Sequence, residues 1–167
     1  MREFRAEIEY PATTEDVAIM LADPQFVKQK VAASKPVDSS VHVQADAAGA
    51  FVVTTERELS TAGLPSAAQR LVGQSLRIRL VESWEEQKEP GSRDGTINLD
   101  VVGKPAQASG TALLRSAGPT SSRVIYQGTV QARVPLIGPK LEEQAVAQVE
   151  SVLATERAVA LAWLAQR

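Results

Sequence analysis

Apolar and polar residues alternate strictly over the first ten positions of the chain. One face of this segment would carry Phe4, Ala6, Ile8 and Tyr10, and the other face is charged. A period of two with one apolar face is typical of a β-strand that is buried on one side. The period returns after Pro36 and predicts six further strands, at residues 37–45, 49–61, 75–87, 96–102, 108–116 and 123–134.

Two short helices are predicted between the first and second strands. The stretch Thr13-Thr14-Glu15-Asp16 predicts the start of the first helix, with a threonine hydroxyl as the cap and acidic residues that suit the positive end of the helix dipole. Asp23 can cap the second helix, because Pro24 is tolerated in a first helical turn. A third short helix is predicted at residues 66–72, where Gly73 ends it.

The longest helix is predicted at the end of the chain, at residues 139–166. Its apolar residues recur at helical spacing: Leu141, Ala145, Val149, Val152, Val159, Ala160 and Trp163. Pro135 and Pro139 end the preceding strand, because proline has no N–H for the ladder. One face of a seven-stranded antiparallel sheet must be covered, and only this helix is long enough. The pattern predicts one α+β domain over residues 1–167, with the sheet curved around the C-terminal helix.

Composition narrows the chemistry. With 167 residues the chain fits one domain, and the absence of cysteine excludes disulfides and thiol chemistry. His42 is the single histidine, so we expect no metal site and no cofactor. The net charge of −2 comes without a basic block, which argues against nucleic acid. With neither a signal-like start nor a bilayer-length apolar run, we expect a cytoplasmic protein without stable membrane insertion, as monomer or dimer.

The order of elements resembles the helix-grip fold of the START-like (SRPBCC) superfamily, which includes polyketide cyclases and plant pathogenesis-related allergens. Within it, the stretches "GLPSAAQRLVG", "ESWEE", "ASGTALLR" and "VPLIGPKLEE" are similar to an actinobacterial family of unknown function. The resemblance covers nearly the whole chain. It implies a cavity between the sheet and the long helix that holds an apolar molecule.

Three charged residues interrupt the apolar faces: Arg57, Glu82 and Glu156. A charge inside a core is unfavourable unless it is paired and hydrogen-bonded. If the strands on either side of the third short helix pair, Arg57 and Glu82 become direct or diagonal neighbours. In one interpretation the three residues orient the polar end of a ligand in an otherwise apolar pocket. In the other, Arg57 and Glu82 form a structural ion pair and Glu156 lies at a water-exposed rim.

Five further residues are predicted to contact the ligand: Phe51, Trp84, Tyr126, Val149 and Val152. Packing is the competing role for Trp84, and the hydroxyl of Tyr126 needs a partner that Glu156 could also supply. The "EEQ" segment that starts at Glu142 is interpreted as the solvated face of the helix. No motif supplies a nucleophile or a histidine partner, so no catalytic residue is assigned.

Three functions remain open on the sequence alone. The first is binding or carriage of a small apolar ligand such as a lipid, an isoprenoid or a polyketide-like molecule. The second is a cyclase- or dehydratase-like enzyme that uses Glu82 or Glu156 as a buried acid or base. The third is a protein-interaction module that uses the outer face of the sheet or the long helix.

Overall fold

The computed structural model describes residues 1–167. Seven strands form one antiparallel sheet in the order β1-β7-β6-β5-β4-β3-β2. The strands are β1 (Arg2–Tyr10), β2 (Asp38–Ala45), β3 (Phe51–Ser60), β4 (Ser75–Trp84), β5 (Ser92–Val101), β6 (Ala106–Gly118) and β7 (Ser121–Ala132).

Four helices accompany the sheet: α1 (Thr14–Ala22), α2 (Pro24–Ala33), α3 (Ser66–Val72) and α4 (Gly138–Ala165). Both predicted caps form. The N–H of Asp16 donates to Thr13 Oγ1 (3.2 Å) at the start of α1. The N–H of Gln25 donates to Asp23 Oδ1 (2.8 Å) at the start of α2. None of the four helices combines the length and the apolar character needed to cross a bilayer.

The long helix α4 packs mainly on β1, β7 and α2. With two short helices between β1 and β2, this arrangement confirms the predicted α+β helix-grip fold. Glu142, just after the first turn of α4, links the start of this helix to β7, because the N–H of Ala132 at the end of β7 donates to Glu142 Oε2 (2.9 Å). The amino group of Met1 lies 2.8 Å from Glu142 Oε1. Glu142 is only 5% exposed, so its assignment to a solvated face was wrong.

The inner face of the sheet has a closed end, where β1 finishes at Tyr10 and α1 and α2 pack. Apolar side chains from the sheet and both helices meet there and are fully buried: Ile8, Val17, Met20, Phe26, Val27, Val53, Leu114 and Val124. Phe26 also joins α2 to α4, because its ring meets that of Trp163 edge-on at 5.7 Å between centroids. This end is therefore a packed core.

The inner face differs at the opposite, open end, where β3, β5 and β7 finish. Cross-strand pairing aligns Thr55, Leu80, Leu99, Ala108 and Val130 in one row across five strands. The four apolar members of the row are only half-buried, although they face the same side as the packed core. Partial exposure on an inner face means that a solvent-sized space adjoins these side chains. We call this space, floored by Leu80, Leu99, Ala108 and Val130, the groove.

Candidate functional site

Charged and phenolic side chains from six elements lie on the inner face, from the edge of the packed core to the β3 end of the groove. We call this set the interior cluster: Tyr10 (β1), Lys30 (α2), Arg57 (β3), Glu82 (β4), Tyr126 (β7) and Glu156 (α4). Each member acts electrostatically on at least one other member. Only Arg57, Glu82, Tyr126 and Glu156 were predicted from the sequence.

A buried ion pair lies at the centre of the cluster. Lys30 Nζ lies 3.7 Å from Glu82 Oε2, and their side chains are 4% and 9% exposed. Burial alone would lower the pKa of Lys30, but the carboxylates of Glu156 and Glu82 outweigh burial and raise it. Lys30 is therefore a fixed cation at neutral pH, suited to binding an anion and not to attack as a free amine.

The expected neighbourhood of Arg57 and Glu82 was wrong. Arg57 pairs with Ile78 across the β3–β4 ladder, whereas Glu82 pairs with Val53, four residues closer to the closed end. The ionic partner of Glu82 is Lys30, which arrives from α2 and not from a neighbouring strand. Arg57 keeps no carboxylate within ion-pair distance, and its Nη2 atom is buried without a hydrogen-bond partner. The hydroxyl of Thr55, two residues earlier on the same face, is also buried and unpartnered.

Glu156 approaches the cluster from α4. Burial raises its pKa, Glu82 raises it further, and the cations of Lys30 and Arg57 act in the opposite direction. The neutral acid is therefore more populated than for an exposed glutamate. A carboxyl group with a raised pKa inside a cleft can donate a hydrogen bond or exchange a proton with a bound molecule.

Two tyrosines complete the polar lining. Burial raises the pKa of Tyr10, and the charges of Glu156 and Glu82 raise it further. Burial likewise raises the pKa of Tyr126, and the charge of Glu82 is the second cause of this increase. Both phenols therefore remain protonated and can serve as hydrogen-bond donors beside the carboxylates.

The apolar candidates from the sequence fall into two places. Phe51 and Trp84 are each 3% exposed and stack on one another at 6.2 Å in the core of the closed end. Val149 is half-buried on α4, and Val152 is 47% exposed on the same helix. The structure thus places Val149 and Val152 on a different element from the groove floor, and Phe51 and Trp84 at the packed end.

Two other hollows lack the interior cluster. A cleft of about 260 Å³ lies between β1 and α4, against Ile8 and Arg157, and it is smaller than the ~300–1,000 Å³ of usual ligand sites. A hollow of about 690 Å³ on the outer face of the sheet is lined by polar residues such as Arg5 and Gln127. Neither matches the predicted combination of apolar lining and buried charge.

Lys30 and Tyr10 were missed for an understandable reason. Lys30 follows Phe26 by four residues and Val27 by three, so all three share one helical face. That spacing was the available signal for an inward lysine. Tyr10 was assigned correctly to the apolar face of β1. Its hydroxyl belongs to the cluster because the charges of Glu82 and Glu156, which are distant in sequence, act on it.

A seven-stranded antiparallel sheet with two short helices after its first strand and one long C-terminal helix is the helix-grip fold of START-like proteins. An aromatase/cyclase from Streptomyces sp. R1128 shares the fold with a TM-score of 0.61 and 15% identity, over 99% of this chain and 94% of that one. A START superfamily protein from Mycobacterium smegmatis does so with a TM-score of 0.58 and 12% identity, over 98% and 99% of the two chains. The START-like resemblance is thereby confirmed at the level of fold.

The chain belongs to the DUF2505 family, described as proteins of unknown function, whose family model matches residues 5–164. A relative from Mycobacterium tuberculosis, described as an uncharacterized protein, is 30% identical over 171 residues. The match covers 98% of this chain and 97% of the relative.

Proposed function

We propose that this protein binds a small apolar molecule in the groove and holds the polar part of that molecule at the interior cluster. The supporting observation is the difference in side-chain burial between the two ends of the inner face of the sheet. Val53 and Leu114 at the closed end are buried to within 1% of full burial, whereas Leu80 and Leu99 at the open end stay half-buried. A sheet that packs tightly at one end and leaves aliphatic side chains uncovered at the other has room for a ligand.

The energetics favour an apolar occupant. Each Å² of apolar surface removed from water contributes about 25 cal/mol, so the uncovered aliphatic floor is a driving force for binding. Few polar groups adjoin the groove, and apart from the buried hydroxyl of Thr55 they are charged or phenolic. This combination of an apolar lining with a few oriented polar groups is typical of ligand-binding sites.

Binding can be tested on the purified protein. Native mass spectrometry under gentle ionisation should show a mass above that of the chain, which is lost on activation. Nile red, a neutral apolar probe, should bind with one-site stoichiometry and be displaced by a lipid, an isoprenoid or a polyketide-like compound. A chain of bare mass that binds neither Nile red nor any member of such a panel would refute the proposal.

A second candidate function is acid–base catalysis on a bound polyketide-like substrate. The observation that favours it is the raised pKa of Glu156 beside the protonated phenols of Tyr10 and Tyr126. Such a carboxyl group could transfer protons during cyclisation or dehydration. Turnover that disappears in Glu156→Gln while substrate affinity persists would support catalysis. Equal turnover in the variant and the wild type would exclude Glu156 as the acid or base.

A further inference from the structure

Two buried polar atoms of the site have no partner within the protein. Arg57 Nη2 and Thr55 Oγ1 lie on the same face of β3, two residues apart, and neither forms a hydrogen bond. A buried donor without a partner is unfavourable, and more so when it is charged. The carboxylate of Glu82, the nearest inward acid on β4, is already paired with Lys30.

Arg57 takes no part in the ion pairing of the cluster. Lys30 and Glu82 neutralise one another at 3.7 Å, whereas no carboxylate lies within ion-pair distance of Arg57. A guanidinium group offers two parallel N–H donors that match the two oxygens of a carboxylate. The hydroxyl of Thr55 can donate one further hydrogen bond to the same group.

The groove begins beside these donors. Thr55 starts the row that continues through Leu80, Leu99 and Ala108 to Val130. Four inter-strand steps of about 4.8 Å make the row from Thr55 to Val130 roughly 19 Å long. An extended aliphatic chain with its polar group at β3 would lie along it.

We propose that the ligand is an amphipathic acid, whose carboxylate is held by Arg57 and Thr55 and whose apolar chain lies along the groove floor towards β7. This inference rests on the proposed apolar-ligand function and specifies its ligand class. It requires the head group to be anionic, because a neutral head could accept a hydrogen bond but would leave the guanidinium without a counter-charge.

Head-group recognition can be measured by displacement of Nile red with palmitic acid and with its methyl ester. The wild type should bind the acid at least about ten-fold more tightly than the ester, which corresponds to ~1.4 kcal/mol. Arg57→Met should abolish this preference while leaving ester affinity unchanged, and Arg57→Lys should retain part of it. Arg79→Met, the same change at an exposed position on the outer face of β4, should leave the preference intact.

The outcomes separate the two proposals. Equal affinity of the wild type for acid and ester would overturn the acidic head group while leaving apolar binding in place. Binding of neither compound, together with no binding of Nile red, would overturn both. The wild-type ratio needs no variant, so it decides the matter even if Arg57→Met fails to fold.

A separate observation concerns the outer surface of the open end. Large apolar side chains project from its connecting segments: Val37 (71% exposed), Leu71 (53%), Val102 (47%) and Leu136 (100%). Leu136 has a φ of 71°, in the left-handed region that non-glycine residues seldom adopt. An unusual backbone conformation that holds a leucine fully exposed is typical of a functional surface.

The same segments are basic. Residues 34–37, 61–74, 102–105 and 133–140 carry five basic residues, Lys35, Arg70, Lys104, Arg133 and Lys140, and no acidic residue. The rest of the chain carries the other thirteen basic residues and all twenty acidic ones, so it is strongly negative. Exposed apolar side chains on basic connecting segments suit an interface with anionic lipid, which attracts cations and accommodates apolar groups at its surface.

We infer that the open end docks on an anionic membrane surface. The wild type should co-sediment with vesicles of phosphatidylcholine and phosphatidylglycerol in equal parts, and not with phosphatidylcholine alone. The double variant Leu71→Ser/Leu136→Ser should lose binding. Ile19→Ser should retain it, because Ile19 is about as exposed (55%) as Leu71 (53%) but lies on α1 at the closed end. No binding of the wild type, or binding that survives the double variant, would refute the inference.

Discussion

The buried lysine provides the sharpest prediction for stability. Lys30 and Glu82 lie 3.7 Å apart with almost no solvent access, so their attraction at an effective dielectric constant of about 20 is roughly 4 kcal/mol. Lys30→Met would leave Glu82 unpaired beside Glu156. Loss of one partner of a buried pair typically destabilises by ~3–5 kcal/mol, and we expect a loss of this size at pH 7.

The pH dependence of this variant follows from the same groups. Without the lysine cation the folded-state pKa of Glu156 rises further above its unfolded value, so the folded state binds more protons. The destabilisation should therefore shrink as the pH falls towards 5. Urea unfolding followed by circular dichroism at pH 7 and pH 5 measures both effects.

Two controls accompany Lys30→Met. Lys28→Met changes an exposed lysine of the same helix and should alter stability by no more than about 0.5 kcal/mol. The double variant Lys30→Met/Glu82→Gln should recover part of the loss, because it removes the stranded charge. A loss below about 1 kcal/mol in Lys30→Met, unchanged between the two pH values, would show that the pair is not a buried charge pair.

Three other substitutions test the electrostatics and the sheet. Glu156→Gln should raise the melting temperature at pH 7, because the raised folded-state pKa of Glu156 makes its ionised form unfavourable in the folded protein. The gain should vanish below about pH 4, where the carboxyl is protonated in both states. A lower melting temperature at pH 7 would contradict this. Glu142→Gln should be less stable than the wild type at pH 7, because hydrogen bonds from the chain's amino group and a backbone N–H lower the pKa of Glu142. The stability deficit should shrink as acid protonates the wild-type carboxylate. A deficit that is independent of pH in thermal melts would argue against this role. Gly128→Ala should destabilise the protein by about 1–3 kcal/mol in urea titration. A Cβ atom at this position would overlap the backbone oxygen of Ser109 and lie 2.7 Å from the Cα of Gly110. Wild-type stability would show that the strands can separate.

Local patterns were enough to predict the architecture. The alternation over residues 2–10, the capping residues Thr13 and Asp23, and the proline-flanked start of the long helix are each read within a few positions. Each also has one dominant physical cause, which is burial of one strand face, satisfaction of helix-end N–H groups, or a missing donor. The seven strands and four helices followed from these causes.

The partners within the site depend on contacts between elements that are distant in sequence. Glu82 could be identified as an inward acid, but its partner Lys30 belongs to a helix 52 positions earlier and no local pattern joins them. Glu142 sits in an acidic segment that is typical of a solvated helix face. It is buried because the end of β7 supplies an N–H that local patterns cannot reveal.

Filling the groove tests the central claim most directly. Ala108 is a half-buried residue in the middle of the groove floor, and Thr111 is exposed on the outer face of the same strand. In titrations with Nile red, Ala108→Trp should weaken binding by at least about ten-fold with little change in melting temperature, because the indole occupies the space of the ligand. Thr111→Trp should bind as the wild type does. Wild-type affinity in a folded Ala108→Trp protein would contradict a ligand site between the sheet and α4.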